Sequence, residues 1–202
     1  MLDDDAIARM TAHYPPADLS AAEFEEFVVE LLRSVAPAVG DVDVRLHDKI
    51  AAADGTYDFD ATVRFEFAGL QFLVIVEAKK HAHPIKRELV QVLHQKVQSV
   101  GAHKGVMIST APYQSGAVAF AKIHGVALAT VTEGRFTFEA RGTDEVPPMS
   151  REEAFTRYGV PTFVGHYYGA GSTPDSTSVT LLSPERPEFV LEMLTGLQAP
   201  QA

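Results

Sequence analysis

Asp60, Glu77 and Lys79 are the residues whose types and spacing bear most directly on chemistry, and two of them end the run FLVIVEAKKH at 72–81. Five unbroken apolar residues, Phe72 to Val76, lead into an acid and two bases rather than into a turn. Paired carboxylates hold a hard divalent ion such as Mg2+ through oxygen. A lysine beside them orients or deprotonates a water and offsets charge on a phosphate. The Ala78 carbonyl offers a further oxygen. Phosphodiester hydrolysis needs such a set, because it is very slow unless charge is stabilised and a hydroxide is positioned. The metal would act as Lewis acid and water activator. A lone Glu-x-Lys is commonly a surface ion pair, so the weight rests on what the chain builds around it.

Strand signals over 57–67 and 71–79 are separated only by Ala68, Gly69 and Leu70, which predicts a hairpin. A turn centred between Ala68 and Gly69 pairs Phe65 with Phe72, Val63 with Val74 and Ala61 with Val76, one wholly apolar face. The other face pairs Arg64 with Leu73, Thr62 with Ile75 and Asp60 with Glu77. Lys79 shares the side of Glu77 because strand side chains alternate, and cross-strand neighbours lie close enough to act together. Asp58 shares the Asp60 face but falls opposite Lys79, as a salt-bridge partner. Asp60 is therefore the preferred carboxylate, with a shared role for Asp58 left open.

The remaining elements follow from periodicity and caps. Ser20 stands three residues before Glu23, the spacing of a capping box, and Phe24, Phe27, Val28, Leu31 and Leu32 form one helical stripe. A helix is expected over about 20–35, then a strand at 41–47 and a loop through AAADGT. Pro84 and Gly101 bracket a helix whose stripe reads Leu89, Val92, Leu93, Lys96, Val97 and Val100, with Arg87, Gln91, His94, Gln95 and Gln98 outside. GVMIST is a buried strand, a helix closed by Gly125 follows, and VALATV is another strand. Strands joined by helices imply right-handed crossovers. The expected fold is α/β, a three-layer α/β/α core with a mixed sheet in the order α-β-β-β-α-β-α-β. Residues 1–17 are expected to be an arm, 18–140 the domain, and 141–202 an extension or small subdomain. Within that extension Ser183 is the expected cap, and Pro184 the first residue, of a last helix.

Composition narrows the classes further. A chain of 202 residues with 46% hydrophobic and 22% charged residues is ordinary for a globular protein. It has no Cys, which excludes disulfides and thiolate metal sites and fits a reducing compartment. The start MLDDDAIARM lacks the cationic region of a secretory signal, and no apolar stretch is long enough to span a bilayer. A cytoplasmic location without membrane association is expected. Net charge is −10, yet Lys79 to Lys104 holds five Lys, one Arg and one acid, about +5 locally. Phosphate contact is expected there, with Lys80, Lys86, Arg87, Gln95 and Lys96 as candidate DNA-contacting residues. His81 and His83 read as surface residues, and GHYYG at 165–169 as core or hairpin packing.

The string from Tyr57 to Leu128 resembles the Mrr-type restriction endonuclease domain of the PD-(D/E)xK nuclease superfamily, and with the first helix the likeness covers about 20–132. The pattern shared is an Asp opening one strand, a hairpin, Glu-x-Lys closing the next, a helix, a GAHKGVMIST-like strand, and a helix beginning near YQSGA. The resemblance implies Mg2+-dependent cleavage of DNA, with Mn2+ as a substitute ion, in restriction or defence. Asp60, Glu77 and Ala78 would be metal ligands and Lys79 the catalytic lysine. Phe24-Glu25 resembles the pair on the family's first helix, making Glu25 a supporting carboxylate. Ala78 stands where relatives often carry Cys, a position that offers only backbone. The competing expectation is a catalytically silent module that binds nucleic acid or protein through the same fold. No DNA-reading motif is evident, so target recognition is expected from 141–202, a homodimer partner or a separate subunit.

Overall fold

A computed structural model describes residues 19–67, 69–133, 163–170, 177–184 and 186–196; the expected N-terminal arm lies outside them. The described elements are α1 (Ala21–Arg33), α2 (Ala36–Val39), β1 (Val42–Ala52), β2 (Gly55–Phe67), β3 (Leu70–Lys79), α3 (Arg87–Val100), β4 (Lys104–Ser109), α4 (Ser115–His124), β5 (Ala127–Glu133), β6 (Phe163–Ala170), β7 (Thr177–Leu182) and α5 (Pro187–Thr195). All seven strands form one sheet in sequence order. β3, β4 and β5 run parallel, and the remaining neighbours are antiparallel. This is the expected mixed α/β architecture. Over their described residues, β6 and β7, which fall in the stretch expected to be an extension, continue the sheet beyond β5.

Helices cover both faces because β3 and β4 are apolar on both. On one face, Phe24, Val28, Leu31 and Leu32 of α1 pack with Val190, Met193 and Leu194 of α5 over Val63, Val74, Val76 and Val106. On the other, Val90, Leu93 and Val97 of α3 and Ala117 and Phe120 of α4 cover Ile75, Met107 and Leu128. α1 starts as its sequence dictates: the Ser20 hydroxyl accepts from the Glu23 N–H at 3.2 Å, and the Glu23 carboxylate accepts from the Ser20 N–H at 2.7 Å. α3 and α4 end on Gly101 and Gly125, both left-handed.

Three local expectations change. The stretch read as a loop, AAADGT, is mostly strand: Ala51 pairs with Thr56 and Ala52 with Gly55 around a two-residue turn. Gly55 has φ 152°, a conformation that a side chain disfavours. In α3 the buried stripe is Val90, Leu93 and Val97, while Val92 is 54% exposed. The spacing of Val90 to Leu93 and Val97 follows the helical repeat, and Val92 falls beside it. The last helix is capped by Arg186 with Pro187 first, not by Ser183 and Pro184. A start at Pro184 would carry Pro187 into the first full turn, where its ring clashes with a preceding carbonyl.

The β2–β3 hairpin has the predicted register, with Phe65 opposite Phe72, Val63 opposite Val74 and Ala61 opposite Val76. The Phe65 and Phe72 rings stack 5.2 Å apart. The β1–β2 ribbon is less regular. Val42 and Val44 of β1, with Ala61, Val63 and Phe65 of β2, belong to the α1 side. Ile50, Tyr57 and Phe59 belong to the α3 side. Residues of the same parity thus lie on opposite faces, so the ribbon inverts once. The inversion falls where the ladder skips His47 and Asp60, between Leu46 opposite Ala61 and Asp48 opposite Phe59. His47 has φ 48°, the one positive value at a non-glycine among the described residues.

Candidate active site

β2 and β3 separate where the apolar core ends. Their ladder stops at Ala61 opposite Val76, whereas β3 continues beside β4 as far as Lys79 opposite Ser109. The Ala78 N–H has no strand partner on the β2 side, and the Asp60 carboxylate accepts it through Oδ2 at 2.8 Å. A half-buried backbone donor is thereby satisfied by a side chain, and that bond holds Asp60 at the splayed edge.

Glu77, 6% exposed, and Lys79 project together towards α3, as alternation requires. Lys79 Nζ lies 2.7 Å from Glu77 Oε2 and 3.4 Å from Asp60 Oδ2, bridging the two carboxylates. The second Glu77 oxygen, Oε1, bonds Lys96 Nζ from α3. Lys96 also lies over the Phe59 ring, 5.5 Å from its centroid. Asp60 and Glu77 are therefore joined through the Lys79 ammonium instead of forming the expected direct cross-strand pair. Burial works to lower the Lys79 pKa, but the hydrogen bond and charge of Glu77 and the charge of Asp60 outweigh it, and the net shift is upward. In this arrangement Lys79 is an ammonium paired with two carboxylates, and it is not poised to remove a proton.

Asp58 was expected opposite Lys79. The ribbon inversion places it across from Lys49 of β1, with Oδ2 3.7 Å from Lys49 Nζ and both side chains mostly exposed. Alternation could not show this, because it assigns residues 58 and 60 to one face.

An open cleft lies beside Asp60 and Ala78 on the α1 side. Glu25 from α1, His47 from β1 and Lys80 just after β3 supply its remaining ionisable groups, above Phe24, Val28 and Leu46. The structure thus brings Glu25 and Lys80 to the Asp60 end of the site. Lys86, Arg87 and Gln95 are exposed but outside the cleft lining. Arg87 sits 5.3 Å over the Phe120 ring and Gln95 bonds Ser99 at 3.4 Å. The basic stretch is accordingly split: Lys79 and Lys96 serve Glu77, burial lowers the pKa of Lys104, and Lys80, Lys86 and Arg87 remain outward. Sequence reasoning missed the link from Lys96 to Glu77 and the place of His47. Only a helical repeat that turns position 96 inward hinted at the first, and no signal marked the second.

The chain after Lys79 is held by the segment that follows β4. Thr110 N donates to the Lys79 carbonyl at 3.1 Å, its hydroxyl accepts from the His81 N–H at 3.1 Å, and Ile85 N donates to the Pro112 carbonyl at 2.8 Å. His81 and His83 lie exposed in this connection. Tyr167, Tyr168 and His166 are buried in β6, as packing residues would be.

Asp60, Glu77 and the Ala78 carbonyl are all oxygen donors, the set a hard divalent cation takes, and Mg2+ commonly uses one or two carboxylates plus waters and phosphate. Among the described residues no group of three or more acidic or histidine side chains converges as a metal cage. The residues fit a cation in donor type, provided that a lysine releases an oxygen of Glu77.

No curated protein sequence matches the chain. Two solved structures are similar over part of it. One is the crystal structure of a protein of unknown function (AF1548), 13% identical, covering 52% of this chain and 56% of that one, with TM-score 0.41. The other is the DNA modification-dependent restriction endonuclease AspBHI, 17% identical, covering 51% of this chain and 28% of that one, with TM-score 0.34. The sequence model of the Mrr catalytic domain, described as restriction endonuclease, matches residues 17–135. That match spans α1 through β5, every element that positions the site, and more than half of the sequence: the chain belongs to the Mrr-type restriction endonuclease family.

Proposed function

We propose that this protein is a divalent-metal-dependent endonuclease that hydrolyses DNA phosphodiester bonds in restriction or defence. The observation that carries the reading is the Lys79 ammonium lying between Glu77 and Asp60 at the splayed end of β3. Asp60, Glu77 and the Ala78 carbonyl would hold Mg2+, with Mn2+ as substitute. The bound ion supplies Lewis acidity and lowers the pKa of a water. Lys79 orients the attacking water and offsets charge on the scissile phosphate. Asp60 keeps its place through the Ala78 N–H. Glu25 is a supporting carboxylate across the cleft, and Lys80 at the same cleft receives a neighbouring phosphate of the backbone. Lys86, Arg87 and Gln95, further along the exposed surface, are DNA-contacting candidates outside the cleft. Lys96 is reassigned from DNA contact to holding Glu77.

A homodimer or a separate recognition subunit would supply the choice of target, and the cytoplasm is the compartment we assign. No helix among the described residues is long and apolar enough to cross a membrane. A second reading, a silent binding module, is favoured by one observation: both Glu77 oxygens are bound by lysines. Incubating plasmid and linear DNA with Mg2+, Mn2+ or chelator separates the two. Cleavage that needs metal and disappears in Glu77→Gln and Lys79→Met supports the enzyme, whereas DNA retention without cleavage under any metal supports the module.

A further inference from the structure

We infer that His47 is a positioning residue for this site, acting through its left-handed backbone to deliver Asp60. The inference rests on the reading of Asp60 as a site carboxylate. A regular β1–β2 ribbon would continue the alternation of Ala61, Val63 and Phe65, and residue 59 would face α1. Phe59 instead lies fully buried on the α3 side, beneath the Lys96 ammonium, so β2 turns over at Asp60. Two paired strands invert together only if both leave the ladder at one point. That point is His47 opposite Asp60, with Leu46 and Asp48 paired normally on either side.

The conformation that permits the turn is the φ of 48° at His47. Left-handed backbone is disfavoured for most side chains and worst for β-branched ones, while His, Asn and Asp tolerate it better and Gly adopts it freely. The inversion has two local consequences. Asp58 is directed to Lys49 and away from the site. Asp60 is left at the ribbon's turning point, with its carboxylate across the open edge of β3 and on the Ala78 N–H. His47 itself lines the same cleft, so an imidazole role is the rival explanation. The two differ in which replacements rescue.

The test compares His47→Gly, His47→Asn, His47→Ala and His47→Val in the full chain, with Asp60→Ala as reference, through two readouts. The first is hydrogen exchange of the Ala78 amide by NMR, with the Val74 and Val76 amides as internal controls of folding. Protection of Ala78 should survive in the Gly and Asn variants and fall on the order of tenfold in His47→Val, following the cost of a left-handed non-glycine residue. It should fall likewise in Asp60→Ala, and the Ala variant, which stays folded if Val does not, should lie between. The second readout is Mg2+-dependent plasmid cleavage, where the Gly and Asn variants should exceed Val roughly tenfold in kcat with little change in KM. Gly and Asn variants that protect Ala78 yet cleave no better than Val would assign the role to the imidazole and overturn the inference. Undiminished Ala78 protection in both Ala and Val variants would overturn it too. If the wild-type chain cleaves nothing, the exchange readout still decides the matter, so failure of the nuclease reading and failure of this inference are distinguishable.

Discussion

Replacing Lys96 with Met keeps the aliphatic stem over Phe59 but removes one of the two ammonium partners of Glu77. The side chains of Lys96 and Glu77 are 23% and 7% exposed, so their contact is largely shielded from water. Removing one partner of a buried pair costs about 3–5 kcal/mol when it strands the other charge. Glu77 is not stranded, because Lys79 remains 2.7 Å from Oε2. The loss is then nearer that of one hydrogen bond to a charged group, about 1.5–3 kcal/mol, plus a cation–π contact of about 0.5–1 kcal/mol. Partial exposure of Lys96 pulls the sum down, and about 2 kcal/mol is expected, roughly 4–8 °C in Tm for a chain of this length. Thermal unfolding of Lys96→Met, Glu77→Gln and the double variant forms a cycle whose coupling should be about 1.5 kcal/mol or more. Lys96→Met should also gain more Tm from added Mg2+ than the wild type does, since Oε1 of Glu77 is released. A coupling below about 0.3 kcal/mol, the scatter expected of independent sites, would refute the claim that Lys96 holds Glu77.

Other consequences are open to simple measurement. Burial lowers the pKa of His166 from 6.5 to about 4, so the folded chain keeps it neutral where the unfolded chain takes a proton. Stability should be complete above pH 6.5 and fall as pH drops towards 4, by up to about 3 kcal/mol; denaturant melts of His166→Gln should show a shallower slope in that window. Asp48 is opposed by desolvation, but hydrogen bonds from Thr62 and Arg64 bring its pKa below the usual value of 3.8. Its contribution is present above that value and lost as pH falls further, and Arg64→Met should flatten this acid limb in equilibrium unfolding. A methyl group on Gly105 would meet Val97 Cγ2 at 2.7 Å beneath α3. Gly105→Ala should therefore destabilise by about 1–3 kcal/mol in urea titration, and an unchanged midpoint would show that α3 moves freely on the sheet.

Much of the geometry around the candidate site was legible in the sequence because it follows short-range rules. Phe65, Val63 and Ala61 alternate against Phe72, Val74 and Val76 about a two-residue turn, so the β2–β3 register came from counting alone. Ser20 and Glu23 define their helix start through their own side chains. The ribbon inversion was not legible, since alternation carries no mark for a single left-handed residue, and His47 is a type found in any conformation. It reversed the expected place of Asp58 while leaving Asp60 at the site. The tie from Lys96 to Glu77 is a contact between residues 19 apart, made by packing α3 on β3, and a charge on an amphipathic helix reads by default as solvated. The joining of β6 and β7 to the sheet depends on pairings across sequence distances that local patterns do not encode.

On the proposed function, Asp60, with Glu77 and Lys79, forms a metal-dependent cleavage centre from which Asp58 is excluded. Initial rates of supercoiled plasmid cleavage in Mg2+ by the wild type, Asp58→Asn and Asp60→Asn test it in one measurement. Asp60→Asn should lose about a hundredfold or more, as for removal of one essential charged group, and Asp58→Asn, an exposed surface pair, should change within about threefold. Equal losses at both positions, or a loss at Asp58 alone, would contradict it.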